Sequence, residues 1–519
     1  MKTIVISLLF LMFFPITICS QEQDFLNINS PEYIDLQNSS ERIDKVAADK
    51  REIIVYLSCS GTSDSGVIVP KNTYIVDEAG RKYFIKKANG IAIGKRKPIG
   101  KSGKLSYSLV FPPLPKGTKS FDMVQAHRRD KTYYFDIHQK GTATNFATSI
   151  DTTGINDALN KKFPDRLFKK DTVWFSGCFH GTKFFKKQKC VITFVTPMPS
   201  LNGNRYTENF DINSDGTFKA AIPVNGPTWT TMMVIVQGTP AIDKYIPVML
   251  YPGDHLSLTI DDYGTDLEKQ KWESDHDYNT AFVEMCEAFP ARFPHLGERR
   301  HLDIDSLNQI IAINEKAACY LSNKYKLPKE ESALILTQAN LSKVCEALRT
   351  IDELTATAKS NYHKSLGGHY PTPAQFDSLQ SYCKSPYYKI ISMLRAENKA
   401  FLIVPSIQDL TRIFNNSTLF HYMTYDKDYF SIPKGYRYLY WNDSAIHQLR
   451  MFRNKPVGSD RLFEQWFNLM NFEQVVDSQE VSPNIEEVLK MKFETVTLPV
   501  YQEWKAELLK NYPGQQSKK

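Results

Sequence analysis

Residues 105–111 read LSYSLVF, and the first five of them alternate apolar with polar side chains. Alternation with a period of two is typical of a β strand that buries one face. The same pattern recurs on both sides of this stretch, at 53–57, 73–77, 121–124 and 133–137. Short strands separated by Gly and Pro turns predict a β sandwich over residues 50–141.

A second group of strands follows a polar stretch at 142–170, which we interpret as a linker with one short helix. Strands are expected at 172–180, 190–196, 206–212, 218–224, 231–237, 245–251 and 256–260. Asn202-Gly203 and Asp215-Gly216 have the chemistry of hairpin turns. Residues 171–263 are therefore predicted to form a second β sandwich.

The hydrophobic period changes to 3.6 residues from about residue 265. One helical face is formed by Leu307, Ile310, Ile311, Asn314, Ala317, Ala318 and Leu321. Pro328, followed by Glu330 and Glu331, indicates a helix start, and Pro499 divides the last helix. We expect an all-α helical domain over 264–512 and a tail at 513–519. The predicted fold is thus two consecutive β-sandwich domains followed by an all-α domain.

The first residues have the layout of a secretory signal peptide. Lys2 precedes an apolar run over 4–14 that Pro15 ends, and Ile18-Cys19-Ser20 then precedes the polar residues 21–24. We expect a signal peptide over 1–20, cleavage after Ser20, and a flexible segment over 21–49. The alternative is a lipoprotein acylated at Cys19, although Ile18 is larger than the residue such a site prefers. No later stretch is apolar for long enough to predict a transmembrane segment, so the periplasm or cell envelope is the expected location.

Charge and motif spacing exclude several functions. The chain has 519 residues, and its net charge of +7 is too small to predict a nucleic-acid partner. Gly100-Lys101-Ser102 lacks the first glycine of a phosphate loop, and a strand rather than a helix is expected after it. Asp211–Gly216 resembles the start of a calcium loop, but Ile222 occupies the position of the required glutamate. The sequence therefore predicts no catalytic set, no metal site and no cofactor.

Eight cysteines are present, without any C-x-x-C pair. Cys178 and Cys190 flank the segment 181–188, on two strands that would form one hairpin. They are interpreted either as a cross-strand disulfide in an oxidising compartment or as two small buried hydrophobic residues. The aromatic-rich segment 418–441 is interpreted as core packing, with stacking on sugars or anchoring of a peptide as the alternative.

Three segments together resemble a known family. They are 105–115 with 118–122, 212–218 with 222–223 and 251–254, and Leu498-Pro499-Val500-Tyr501-Gln502-Glu503-Trp504 at the end. They resemble the N-terminal β modules and helical region of TlpA-like exported thiol-disulfide oxidoreductases of the Bacteroidetes. The resemblance implies the same order of β modules and helices, with the thioredoxin domain absent. Its catalytic cysteines have no counterpart here, so its redox activity is not implied.

These observations favour an exported cell-envelope protein that acts as a non-catalytic scaffold and binds a protein or a glycan. The alternative is an accessory component of a periplasmic thiol-disulfide pathway that works with a separate thioredoxin-like partner. A hydrolase is the third hypothesis, without a recognisable acid–base–nucleophile set.

Overall fold

The computed structural model describes residues 26–36, 40–126, 131–143, 146–163, 167, 171–181, 190–196, 206–236, 244–261, 269–276, 282, 285–286, 288–289, 304–365, 389–407, 409–410, 413, 462–466, 468–469 and 494–511. The protein is rich in antiparallel β sheet and contains a few helices. The predicted signal peptide over 1–20, the aromatic segment 418–441 and the tail at 513–519 lie outside the described residues.

The first group of strands forms two five-stranded sheets. Its strands are β1 (Ile28–Asn29), β2 (Glu32–Asp35), β3 (Glu41–Ala48), β4 (Ile53–Ser60), β5 (Gly66–Val67), β6 (Asn72–Val76), β7 (Lys82–Phe84), β8 (Lys87–Asn89), β9 (Lys97–Pro98), β10 (Lys104–Phe111), β11 (Ser120–Ala126) and β12 (Lys131–His138). One sheet has the order β1-β3-β4-β10-β8 and the other the order β2-β12-β11-β6-β7, while β5 pairs with β9. The strands expected around 53–57, 73–77, 105–111, 121–124 and 133–137 are thus confirmed.

Both sheets of this first pair contribute to one apolar core. Val55 and Leu109 come from the first sheet, and Phe121 and Tyr134 come from the second. All four side chains are completely buried. The alternation of each strand supplies this core, because every second side chain points to the same face.

The expectation of a flexible segment over 21–49 is wrong from residue 28 onward. β1, β2 and β3 lie within it, and Ile28, Ile43 and Val46 are buried in the first core. The period of two in β3 is interrupted by a bulge between Ile43 and Lys45. The extra residue, Asp44, returns Val46 to the buried face. The apolar positions of this polar segment therefore do not follow a period of two in the sequence.

The second group of strands also forms two sheets. Its strands are β13 (Asp171–Phe179), β14 (Cys190–Thr196), β15 (Tyr206–Ile212), β16 (Thr217–Val224), β17 (Thr228–Val236), β18 (Lys244–Leu250), β19 (His255–Asp261) and β20 (Lys269–Glu273). The sheet orders are β16-β13-β19-β20 and β15-β14-β17-β18, and β13 runs parallel to β19. Inward side chains of both sheets, such as Phe175 and Val234, share a second core. The predicted end of the second β domain at residue 263 is too early, because β20 extends the sheet β16-β13-β19-β20 to Glu273.

The described helices are α1 (Ile155–Lys162), α2 (Ile304–Lys324), α3 (Lys329–Ser365), α4 (Ala400–Ile403) and α5 (Gln502–Asn511). All seven residues of the helical face predicted at 307–321 are buried on α2. α3 begins directly after Pro328, and a 3-10 turn at Pro499–Tyr501 precedes α5, as expected. The period of 3.6 does not begin at 265, however, because β20 lies there.

The helices pack on the outer face of the sheet β2-β12-β11-β6-β7. Val124 and Phe135 of this sheet belong to the same apolar cluster as Ile311 and Ala318 of α2. The linker helix α1 joins this cluster through Leu159, so segment 142–170 packs with the helices as well as connecting the sheets. The sheet is therefore covered on both faces, and polar groups between it and α2 are removed from water.

Candidate functional site

A β bulge on β12 places two acidic residues between the sheet and the helices. In the pairing of β11 with β12, Asp122 lies opposite two residues, Phe135 and Asp136. Asp136 has a φ of 55°, a left-handed conformation that aspartate adopts more readily than most residues. Its amide N–H donates to Asp122 Oδ1 at 2.9 Å. The bulge thus turns a backbone donor toward a carboxylate.

Helix α2 supplies a cation and a phenol to the same carboxylate. Tyr320 and Lys324 are four residues apart, so they share one face of the helix. Lys324 Nζ donates to Asp122 Oδ2 at 2.6 Å, and the Tyr320 hydroxyl donates to Oδ1 at 2.8 Å. The side chains of Lys324 and Asp122 are only 1% and 3% exposed. We call the group formed by Asp122, Asp136, His138, Tyr320 and Lys324 the junction cluster.

Burial keeps the Tyr320 hydroxyl protonated. Removal from water raises the pKa of Tyr320, and the charges of Asp122 and Asp136 raise it further. The hydroxyl is therefore a fixed hydrogen-bond donor to the Asp122 carboxylate. Charge-assisted hydrogen bonds of this kind are stronger than neutral ones.

The second carboxylate of the junction cluster is less well satisfied. Asp136 Oδ1 is buried and has no hydrogen-bond partner within the described part of the chain. His138 Nδ1 donates to the backbone oxygen of Asp136 at 2.6 Å and lies 3.5 Å from Asp136 Oδ2. Burial raises the pKa of Asp136, against the lowering effect of His138. A buried oxygen without a hydrogen bond lowers the stability of the folded state, so Asp136 is a destabilising residue at this position.

The arrangement can join two parts of the chain that are far apart in sequence. Asp122 lies on a strand, whereas Tyr320 and Lys324 lie about 200 residues later on a helix. Each of the three directs its polar atoms at another member of the cluster, in surroundings with little water. The buried ion pair of Asp122 and Lys324 constrains the position of α2 on the sheet, because any other position would leave a buried charge unpaired.

A third buried carboxylate, that of Glu41, links the two sheets of the first pair. Glu41 of β3 accepts hydrogen bonds from Gln125 Nε2 at 2.6 Å and from the Tyr134 hydroxyl at 2.5 Å. Burial raises the pKa of Glu41 to about 6, although both hydrogen bonds act to lower it. Glu41 therefore titrates in a mildly acidic range.

The expectation that Cys178 and Cys190 face each other across one hairpin is wrong. Cys178 lies on β13 opposite Thr217 and Thr259, and Cys190 lies on β14 in a different sheet. Cys178 is a free thiol. The hairpin interpretation fails because the chain crosses from one sheet of the pair to the other between these two strands.

Burial also makes several other thiols poor nucleophiles. It raises the pKa of Cys286 and Cys345 well above the usual value and that of Cys319 to about 11. Burial and the nearby Asp215 and Asp261 raise the pKa of Cys178. Because the thiolate is the reactive form, these four cysteines are poorly suited to thiol exchange.

The two loop motifs are ordinary turns. Gly100-Lys101-Ser102 precedes strand β10, as expected, and Lys101 and Ser102 are exposed. In the loop before β16, Asp215 Oδ1 accepts hydrogen bonds from the backbone N–H and the hydroxyl of Thr217. This carboxylate oxygen thus closes the turn between β15 and β16. The expectation of a hairpin turn at Asp215-Gly216 is wrong, because these two strands belong to different sheets.

Sequence reasoning missed the junction cluster. Its members are separated by up to about 200 residues, and no spacing motif connects them. A weak signal was present: Asp122 and Asp136 interrupt the otherwise apolar runs Phe121-Asp122-Met123-Val124 and Tyr133-Tyr134-Phe135-Asp136-Ile137. A charged residue inside such a strand indicates a buried partner.

The described residues contain neither a candidate metal centre nor a candidate membrane-spanning helix. Within the described ranges, no three His, Cys, Asp or Glu side chains come together in a way that would hold a metal ion. No helix in the described part of the chain combines the length and the apolar composition needed to cross a lipid bilayer. Comparison of the whole chain with protein-family models, with curated proteins and with solved structures finds no match.

Proposed function

We propose that this chain is an exported cell-envelope protein that acts as a non-catalytic binding scaffold. Its architecture would be two β sandwiches followed by an all-α domain, in the order that TlpA-like proteins use. The junction cluster is the observation that carries the proposal. The charges of Asp122 and Lys324 in this cluster are buried and directed at each other, which suits a joint that holds modules together better than it suits a reaction centre.

The compartment rests on the N-terminal sequence. The positive Lys2, the apolar run over 4–14 and the polar residues after Ser20 support export with cleavage before Gln21. The packing of the sheets supports the two sandwiches, because each pair of sheets shares its own core. The packing of α1 and α2 against α3 supports a helical domain beside them.

Cell fractionation combined with N-terminal sequencing tests the compartment. We expect a mature chain that begins at Gln21 in the envelope or periplasmic fraction. A membrane-bound chain with a lipid on Cys19 would support export by the alternative route. An intact precursor in the cytosol would overturn the proposal.

The non-catalytic part is tested with purified mature protein and two variants, Asp122→Asn and Lys324→Met. We expect no turnover by the native chain or by either variant, and a loss of stability in both variants, since the cluster is a joint. Turnover of a substrate by the native chain that disappears in Asp122→Asn, while the circular dichroism spectrum and melting temperature are unchanged, would show a reaction centre instead.

An accessory role in a thiol-disulfide pathway is the less supported alternative. It requires a reactive thiol, whereas burial raises the pKa values of Cys178, Cys286, Cys319 and Cys345. A mixed disulfide with a thioredoxin-like partner that is lost in a single Cys→Ser variant would favour this role over the scaffold.

A further inference from the structure

An exposed tryptophan stands on the outer face of the second sheet pair. Trp174 is 54% exposed, although it lies on β13, which has neighbouring strands on both sides. Its strand neighbours Val173 and Phe175 are buried, so the ring points away from the core. Tryptophan has the largest apolar surface of any side chain, and leaving half of it in water is unfavourable.

Small and polar residues surround this ring. Trp174 lies opposite Ala221 on β16 and beside His255 on β19. In the next row of the same face, Ser176 lies between Lys219 and Ser257, and Ser257 lies opposite Glu273. We define the Trp174 face as Trp174, Ser176, Lys219, His255, Ser257 and Glu273.

Three polar groups of the Trp174 face are held in place by hydrogen bonds. His255 Nδ1 donates to Asp275 Oδ2 at 2.8 Å, while its side chain remains 70% exposed. The Ser257 hydroxyl donates to Glu273 Oε2 at 3.4 Å, and Lys271 Nζ lies 2.7 Å from Glu273 Oε1. The face therefore offers hydroxyl, imidazole, carboxylate and ammonium groups on strands about 4.8 Å apart.

The charges on and beside this face balance. Lys219 and Lys271 are cationic, and Glu273 and Asp275 are anionic, so a strongly charged ligand of either sign would gain no net electrostatic attraction. Among the described residues, Trp174 is also the only large apolar side chain exposed on this face. A stable protein interface needs roughly 800 Å² on each partner with an apolar centre. A single ring among polar groups does not provide that centre.

We propose that the Trp174 face binds a neutral glycan. One sugar ring would stack its apolar C–H face on the indole, and its hydroxyl groups would exchange hydrogen bonds with the row of Ser176, Ser257 and Glu273. The proposal rests on the scaffold function above and names the class of its ligand. It follows from the combination of an isolated flat aromatic ring with balanced donors and acceptors on neighbouring strands of one sheet face.

Affinity electrophoresis of the full mature chain through gels that contain single polysaccharides tests this proposal. The probes are three neutral polymers, namely dextran, glucomannan and a mixed-linkage β-glucan, and two acidic ones, alginate and polygalacturonate. We expect at least one neutral polymer to retard the native chain and the acidic polymers to leave its mobility unchanged.

Trp174→Ala is the decisive variant, and Tyr56→Ala is its matched control. Tyr56 is an aromatic side chain on β4 that is 38% exposed. Trp174→Ala should weaken the retardation at least tenfold and Trp174→Phe should weaken it less, whereas Tyr56→Ala should have no effect. Because both side chains are exposed, the melting temperatures should stay unchanged.

Three outcomes overturn the proposal: no neutral polymer retards the chain, retardation persists in Trp174→Ala, or Trp174 is needed for binding an acidic polymer or a protein instead. If glycan binding is not observed but the mature chain begins at Gln21 and lies in the envelope, only the glycan proposal fails and the scaffold function is unaffected. A cytosolic precursor would remove the basis of both proposals.

Discussion

Replacing Lys324 with methionine would leave the Asp122 carboxylate buried beside α2 without its cation. The Lys324 Nζ to Asp122 Oδ2 distance is 2.6 Å. At an effective dielectric constant of about 20, Coulomb attraction between unit charges at this distance is about 6 kcal/mol, before the cost of removing them from water. Removing one partner of a buried pair typically costs about 3–5 kcal/mol, because the other charge stays buried.

The assay is thermal unfolding of the mature chain, combined with hydrogen exchange of the α2 amides. A loss of about 3–5 kcal/mol corresponds to a fall in melting temperature of about 6–20 °C for units of 150–250 residues. Exchange should accelerate first in α2. Asp122→Asn should have a similar effect, because it leaves the Lys324 ammonium buried.

The double variant Lys324→Met/Asp122→Asn should recover most of the loss, since neither buried charge remains. Lys271→Met is the matched control, because Lys271 forms an ion pair of similar length with Glu273 in which both side chains are exposed. It should leave the melting temperature unchanged. The reasoning is refuted if Lys324→Met behaves like this control, or if the losses of the two single variants add in the double variant.

Three further predictions concern other buried positions. Because the pKa of Glu41 is about 6 in the folded chain and 4.5 in the reference state, the unfolded chain binds fewer protons between these values. Stability should therefore fall by about 2 kcal/mol as pH rises through this window, and Glu41→Gln should flatten that part of the melting-temperature profile. A Cβ at Gly177 would lie 2.2 Å from the backbone oxygen of Leu258. Gly177→Ala should therefore lower the free energy of unfolding, measured by chemical denaturation, by at least about 1–3 kcal/mol. Ser176→Ala, at the neighbouring position on the outer face, should leave it unchanged. Iodoacetamide labelling followed by peptide mass mapping should modify Cys178 before Cys286, because Cys286 is completely enclosed; equal labelling rates in the native chain would contradict the burial described here.

Local sequence patterns predicted most of the described strands and helix starts. The strand at 218–224 and the buried face of α2 follow from periodicity, because every second side chain of the strand is buried and the apolar residues of the helix share one face. β3 was missed because a bulge at Ile43 and Lys45 breaks the alternation. The error at Cys178 and Cys190 has another cause, since the strand pattern does not specify to which sheet of a pair a strand belongs.

The candidate site depends on tertiary structure more than the strands do. Asp122 and Lys324 meet only because α2 lies against the outer face of β11, and nothing near either residue in sequence indicates the other. Trp174 differs, because its place in the alternation already puts it on the opposite face from Val173 and Phe175. Its exposure and its polar neighbours on β16 and β19 required the sheet order.

The junction cluster and the Trp174 face together suggest a division of labour along the chain. The first sheet pair is covered by helices on one side and is tied to α2 by charges that tolerate little displacement. The sheet β16-β13-β19-β20 instead keeps an outer face on which Trp174 stays in contact with water.

A scaffold needs both features, because a binding surface is useful only if the modules that present it keep their relative positions. Lys324→Met should therefore loosen α2 without weakening glycan retardation, and Trp174→Ala should weaken retardation at least tenfold without loosening α2. Variants that failed in both assays would show that the two sites are not independent.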